Sequence, residues 1–392
     1  MFDLVIRSGR VLDPGTGFDR IADVGVKANR IVAIAPRLYG PAREIIEASG
    51  RLVTPGLVDI HTHVNLAPGP WGVDAAGLVA LTGATTWVDA GSVGAWHVGA
   101  LRRAAHVLPL QLRALLNIST RGLDTETGEC TDLVNLSVGA AVDAVRRHVE
   151  FVAGIKVRID RRTVGDLGLE PLRRAVEVAR KVEVPVMVHV GYGPPFVAEV
   201  LAHLDRGDIL THCASGTPDD ITVQRRLASH VLAAHRRGVH LDLGHGAGSF
   251  SFPILESYLD AGIVPLCSSD VNTRALESRA RGGGGALLPD VMTKLIACGV
   301  SVPEVIAAST WRPARALGLQ AGSLQVGHRA DITVLVANEE EQHLTDPMGE
   351  TRPAGVVVSP YMTVVGGVVV RGLGESRRIP DWRRRSKSKI KG

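Results

Sequence analysis

Gly56-Leu57-Val58-Asp59-Ile60-His61-Thr62-His63 leaves a Pro55-Gly56 turn as an apolar run of strand character and ends on two histidines one residue apart. Side chains alternate faces along a strand, so His61 and His63 point one way and Thr62 the other. Two imidazoles then converge on one point. By itself a His-x-His at a strand end reads equally well as a polar strand cap or as half of a metal site. The residues downstream turn it toward the metal site.

Seven further apolar runs follow, at 85–90, 109–118, 152–159, 185–190, 208–213, 239–245 and 264–270. Amphipathic stretches such as 137–150, 168–182 and 223–237 lie between them, the last with Leu227, Val231 and Leu232 on one face. Strands alternating with helices imply βα units and a parallel sheet. Eight repeats make the fold class α/β, a (β/α)8 TIM-type barrel over residues 55–317 with its site at the C-terminal strand ends. A helix near 302–317 closes it, and the Gly282–Gly285 run before that helix reads either as a spacer or as a flexible lid. Residues 1–54 and 318–375 carry short strands broken by turns, which cannot bury both faces alone; the two segments are expected to form one small discontinuous β-sandwich.

Length and composition agree. The chain has 392 residues, 45% hydrophobic and 21% charged, enough for a barrel of about 250 residues and a smaller unit. No apolar run reaches the length of a membrane span, and Met1-Phe2-Asp3-Leu4 lacks the pattern of a secretory signal, so a cytoplasmic location with no membrane partner is expected. Cys130, Cys213, Cys267 and Cys298 have no C-x-x-C spacing, and reduced thiols are expected. The net charge of +4 belongs to a tail: residues 376–392 hold eight basic side chains against Asp381, a net +7, leaving −3 for the rest. That tail, with Trp382 among its arginines, reads as a disordered terminus rather than a surface for nucleic acid or anionic lipid.

Six residues of ligand type fall at or near the expected strand ends: His61, His63, Lys156, His189, His212 and Asp270. Four histidines and an aspartate at one barrel mouth are hard to explain as packing. Lys156 is the odd member, because an ammonium cannot bind a metal and lysine is almost never buried in a parallel strand; a lysine snorkelling to the mouth is the neutral alternative.

The sequence resembles the amidohydrolase superfamily, and within it the amidohydrolase/deacetylase metallohydrolases, neighbours of dihydroorotases and hydantoinases. The resemblance rests on Gly56–His63, Gly83–Ser92, Leu116-Asn117-Ile118-Ser119, Gly154-Ile155-Lys156-Val157-Arg158, Gly207–Cys213, Asp242–Phe252, and Gly322–Gly327 through Asp331. It implies that His61, His63 and Asp270 hold one divalent ion, that His189 and His212 hold a second, and that a carbamate on Lys156 bridges them. Zinc is the expected metal. A metal-bridging hydroxide would attack the carbonyl of an amide or ester, with Asp270 moving the proton. Asn272 stands where that branch usually reads His, which leaves Asp270 in place but removes any substrate contact from that side chain.

A small carboxylate-bearing substrate is expected, an acylated hydroxy acid or N-acyl amino acid. Arg158 shares the face of Lys156, either as a carboxylate clamp or as the partner of a structural acid. His245 is a candidate for the oxyanion or leaving group, Asn117 and Tyr192 for substrate contact, and Trp71, Phe250 and Phe252 for pocket walls. A cyclic-amide hydrolase is the alternative, weakened because Val64-Asn65-Leu66 offers no Arg after the His-x-His pair. A non-catalytic assembly protein on a decayed barrel would have lost ligands, and all six are present. Self-association into a homo-oligomer stays open.

Overall fold

The computed structural model describes residues 1–64, 69–218 and 220–371. The basic stretch 376–392, and Asn65 and Leu66 after the His-x-His pair, lie outside the described residues. Five strands open the chain: β1 (Phe2–Asp13), β2 (Phe18–Lys27), β3 (Arg30–Ala35), β4 (Ala42–Glu47) and β5 (Leu52–Pro55). β1 pairs antiparallel with β2 and parallel with β4 and β5. Only Gly56 separates β5 from the first barrel strand.

The barrel strands are β6 (Leu57–Thr62), β7 (Ala84–Ala90), β8 (Gln111–Asn117), β9 (Val152–Ile159), β10 (Val186–Val190) and β11 (Ile209–Thr211). A small hairpin of β12 (Thr222–Val223) and β13 (Arg226–Leu227) follows, and β14 (His240–Asp242) completes a seven-stranded parallel sheet. β6 and β7 are buried along their whole length, as strands covered on both faces must be. Val58, Val88, Leu115, Met187, Ile209 and Leu266, drawn from most of the way round, form one cluster that fills the interior.

The eighth run, 264–270, forms no regular strand. Pro265 has no N–H to give, Cys267 N turns away to Ala308 O (2.9 Å), and Asp270 adopts φ +48. The ring still closes. Leu266 N donates to Leu241 O (2.8 Å), Leu243 N to Leu266 O (3.0 Å), and on the far side His63 N donates to Val271 O (3.0 Å).

Two helices expected from amphipathic spacing occur as Val138–Arg147 and Glu170–Val182. The third begins only at Ser229, because residues 222–227 pair as the β12–β13 hairpin and so place Leu227 off the helix. Helices Val302–Ser309 and Trp311–Ala316 follow the barrel. Gly283 to Gly285 of the Gly282–Gly285 run are packed, while Gly282 is open: a Cβ at Gly283 would lie 2.6 Å from Ser278 Oγ, and one at Gly284 2.9 Å from Pro347 N.

β15 (Ile332–Thr345), β16 (Thr351–Val365) and β17 (Val368–Arg371) return to the first sheet. β15 pairs antiparallel with β5, from Ile332 against Pro55 to Leu335 against Leu52, so both ends of the chain share one eight-stranded mixed sheet. Its core joins Leu4, Ile6 and Val24 to Ile332, Val334 and Val364. Beyond Leu335 the β15–β16 hairpin runs free of β5 and reaches across to the barrel loops. No helix among the described residues is long and apolar enough to cross a membrane.

Candidate metal centre

β6 delivers His61 at its end and His63 just past it, β9 carries Lys156, β10 carries His189, and His212 follows β11 directly. Asp270 comes from the eighth segment. His61 Nε2 lies 3.5 Å and His63 Nε2 3.2 Å from the same oxygen, Asp270 Oδ1. Lys156 Nζ is 3.0 Å from His61 Nε2. Ligand atoms of His61, His212 and Asp270 all fall within 4.8 Å of one another. His189 joins through His212, their rings meeting edge to face at 4.4 Å. The structure thus brings all six ligand-type residues to one place. Two of them, His212 at φ +59 and Asp270 at φ +48, sit in the left-handed region, which non-glycine residues occupy at a cost and mostly where function holds them.

Polar groups behind the cluster orient it. His61 Nδ1 meets Thr211 Oγ1 (2.8 Å), and that hydroxyl donates to Asp242 Oδ2 (2.6 Å). His63 Nδ1 meets Ser92 Oγ (2.8 Å), and Asp89 fixes that serine through Ser92 N (2.8 Å). His212 Nδ1 donates to Gly244 O (2.6 Å). With Nδ1 occupied on these three rings, the Nε2 edge of each faces the centre. Gly244 is required there: its φ is +49, and any Cβ would collide with Thr211 Oγ1 and lie 2.8 Å from His61 Nδ1. Asp59 accepts from Ser269 N (3.1 Å) and Ser269 Oγ, tying β6 to the segment that carries Asp270. Asn272 Nδ2 donates to Asp270 O (2.9 Å) and Oδ1 (3.2 Å) while its Oδ1 caps the next helix at Ala275 N.

Asp59, Asp89 and Asp242 were not singled out from the sequence. Each left a readable signal, an aspartate in the middle of an apolar strand (Val58-Asp59-Ile60, Val88-Asp89-Ala90, Leu241-Asp242-Leu243), and a buried carboxylate must have partners.

Burial sets the charge states. It pushes His61 and His189 well below the ordinary imidazole value and His212 down to about 4, so their lone pairs are free for a cation. Burial also brings the Lys156 ammonium down to about 7, against the pull of Asp270 and Asp242. Asp270 goes the other way. Burial would raise it, but the hydrogen bond and charge of His63 outweigh this and keep it below the usual carboxylate range. The neutral imidazoles of His61, His189 and His212, with a carboxylate and a partly neutral amine around one buried point, form a donor set that fits a divalent ion.

Other expected site residues are placed differently. His245 is fully buried and turned away: its Nδ1 meets Gly246 O (2.9 Å), its Nε2 meets Lys294 Nζ (2.8 Å), and its ring stacks on Phe250 at 4.6 Å. Neither nitrogen is left for an oxyanion or leaving group. Phe250 and Phe252 are core residues beside Lys294, not pocket walls. Asn117 uses both ends on backbone, Nδ2 to Gly91 O and Oδ1 from Ser119 N (both 2.9 Å), bracing the strand next to Lys156. Arg158 shares the face of Lys156, but its Nε and Nη2 are both bound to buried Glu129 at 2.6 Å. Of the two readings of Arg158, the structure displays the partner of a structural acid. Tyr192 is exposed above β10, with Arg161 and Arg162 over its ring at 5.6 and 4.7 Å. Trp71 does stand at the site, 6.5 Å from the His63 ring, its Nε1 donating to Thr125 O (3.1 Å) and Arg274 lying over its face at 4.8 Å.

Known proteins share this architecture. A deacetylase of Enterococcus faecalis is 32% identical over 374 residues, spanning 94% of this chain and 99% of that protein. A solved adenine deaminase superposes with a TM-score of 0.88 at 31% identity, covering 95% of this chain and 100% of its own. A solved dihydroorotase superposes at 0.86 with 26% identity, covering 94% and 98%. Residues 52–370 match the Amidohydrolase family. From its sequence and its barrel alike, this chain belongs to the amidohydrolase family of hydrolases, which work with divalent metal ions.

Proposed function

We propose that the protein is a deacylase that cleaves an amide or ester bond in a small carboxylate-bearing compound, using two divalent ions, zinc by preference. One observation carries this reading: the Nε2 atoms of His61 and His63 converge on Asp270 Oδ1 with Lys156 Nζ 3.0 Å from His61. His61, His63 and Asp270 would hold one ion and His189 and His212 the other. Lys156, carboxylated by carbon dioxide, would bridge them. The partly neutral amine that burial produces there is the form that reacts. When bound, such a pair supplies Lewis acidity to a carbonyl and lowers the pKa of water.

The chain supplies the rest. Asp270, ionised at neutral pH, takes the proton of the attacking water and passes it to the leaving group. Thr211 and Ser92 keep His61 and His63 oriented, with Nδ1 occupied. Trp71 provides a fixed apolar wall beside His63. Arg161, just beyond the C-terminal end of β9 and over the Tyr192 ring, brings to the mouth a positive charge suited to a carboxylate. The deacetylase relative supports the acyl-transfer reading. The dihydroorotase likeness favours a second one, opening of a cyclic amide. Four free cysteines accord with a reducing, cytoplasmic setting.

The test is a hydrolysis screen of N-acyl amino acids and acylated hydroxy acids in both chiral forms, with dihydroorotate and hydantoins beside them, on protein purified without chelator. About two metal equivalents and turnover of an acyl compound are expected. Near-zero metal and no hydrolysis after zinc addition would leave a non-catalytic assembly protein instead. Lys156→Ala should abolish both turnover and metal pairing, with partial rescue by short carboxylic acids; full activity in that variant excludes the bridging role.

A further inference from the structure

The β15–β16 hairpin starts in the terminal sheet and ends among the barrel loops. Its turn is built on Asp346, which is 2% exposed. Asp346 Oδ1 accepts from Met348 N (2.8 Å) and Glu350 N (2.9 Å), closing the turn, while Oδ2 accepts from Phe252 N (2.8 Å) in the segment that follows β14. One residue earlier, Thr345 O accepts from Lys294 Nζ (3.1 Å), and the same Nζ is 2.8 Å from His245 Nε2. Met348 Sδ lies 2.9 Å from where a Cβ of Gly216 would be, and Pro347 N 2.9 Å from that of Gly284. The turn therefore touches the loop after β11, the loop after β14 and the tetraglycine run.

The loop held at Phe252 is the one that lies against the metal centre. Gly246 N donates to Ser269 O (2.8 Å), and a Cβ at Gly246 would sit 2.5 Å from Asp270 Oδ2. Ser251 N donates to Ala214 O (2.8 Å), two residues past His212. Asp270 and His212 are the two ligand-type residues with left-handed backbone, the positions that most need their surroundings to hold them.

We propose that this hairpin turn is a positioning device for the active site, in which Asp346 is a positioning residue that clamps the 244–252 loop against Asp270 and His212. It rests on the reading of that cluster as the hydrolytic centre. The clamp itself is a bond between a buried carboxylate and a backbone N–H, of the charge-assisted kind that is costly to break.

Asp346→Asn separates the clamp from the turn. An amide has one oxygen, which keeps the two turn bonds, and its NH2 then faces Phe252 N–H, donor against donor. Amide hydrogen exchange over 246–252 should quicken by about tenfold or more, with 346–350 and the terminal sheet unchanged. Zinc affinity, read by competition with a chelating dye, should fall about tenfold, and kcat should drop while KM holds. Should Asp346→Asn not fold, Lys294→Met cuts the neighbouring strap at Thr345 and His245 and should give the same exchange pattern. Unchanged exchange over 246–252 in a folded variant overturns the clamp. Faster exchange with unaltered zinc affinity overturns its link to the centre. Both readouts stand even if no substrate is found, so failure of the hydrolase reading would show separately.

Discussion

Lys294 gives the sharpest quantitative prediction because it is an ionisable group buried away from the metal cluster. Its side chain is 5% exposed, with Nζ over the faces of Phe250 and Phe252 at 5.1 and 5.7 Å and bonded to His245 Nε2 and Thr345 O. Burial takes its ammonium from an ordinary 10.5 down to about 8, against the pull of Asp290 and Asp346 and with Arg279 pushing the same way. Below pH 8 both folded and unfolded chains carry the proton, and the folded state bears the full cost of the buried charge, about 3 kcal/mol at 1.36 kcal/mol per pH unit. Between 8 and 10.5 the unfolded chain holds a proton that the folded chain has released, so stability rises with pH. Above 10.5 the cost is gone. Lys294→Met deletes this dependence. At neutral pH the variant gains what the charge cost and loses two hydrogen bonds, terms of opposite sign and comparable size. The slope has no such compensation. Between pH 7 and 10.5 the wild-type protein should gain about 3 kcal/mol on the variant, about 3–6 °C in Tm for a chain of this size. Calorimetric melts of both proteins in parallel across that range make the comparison. Parallel Tm curves would refute the buried-ammonium account of Lys294.

Two further substitutions address the support of the centre. Thr211→Val keeps shape but removes the hydroxyl between His61 Nδ1 and Asp242, so zinc affinity by dye competition should fall about 10- to 100-fold; an unchanged affinity would show that His61 needs no such support. Arg158→Met strands the fully buried Glu129 without its cation, at about 3 kcal/mol, and should cut turnover of neutral esters and carboxylate-bearing substrates alike; a loss confined to the carboxylates would restore the clamp reading.

The barrel and its ligand-type residues were legible because both are written in short-range periodicity. A strand's alternation placed His61 and His63 on one side, and the apolar runs located the strands on which Lys156 and His189 lie. What could not be read is what depends on a residue in another element. The run 264–270 has strand composition, but Cys267 N is drawn to a helix carbonyl at Ala308, a contact no local pattern encodes. The β12–β13 hairpin took residues from an expected helix in the same way, tertiary pairing overriding amphipathic spacing. The reach of the β15–β16 hairpin was equally hidden. Its sequence reads as two strands and a turn, while the meaning of Asp346 lies in Phe252, 94 residues away.

Arg158, His245 and Asn117 show the same limit at the level of single side chains. All three share the sequence signature of the His61–Asp270 cluster, a polar group at the C-terminal end of a barrel strand. They part from it on one physical count, whether their polar atoms remain free once their neighbours are in place. Arg158 is taken by Glu129, His245 by Lys294 and Gly246, and Asn117 by Gly91 and Ser119. In His61, His63 and His212 the residues outside the cluster take Nδ1, and the Nε2 atoms of His61 and His63 meet other members of the cluster, Lys156 Nζ and Asp270 Oδ1. The partners that silence the first group and those that orient the second are of one kind, backbone carbonyls, hydroxyls and buried charges. A strand-end polar residue in this barrel therefore joins the cluster through the atom that residues outside the cluster leave unbonded, and that surplus exists only after the fold has formed.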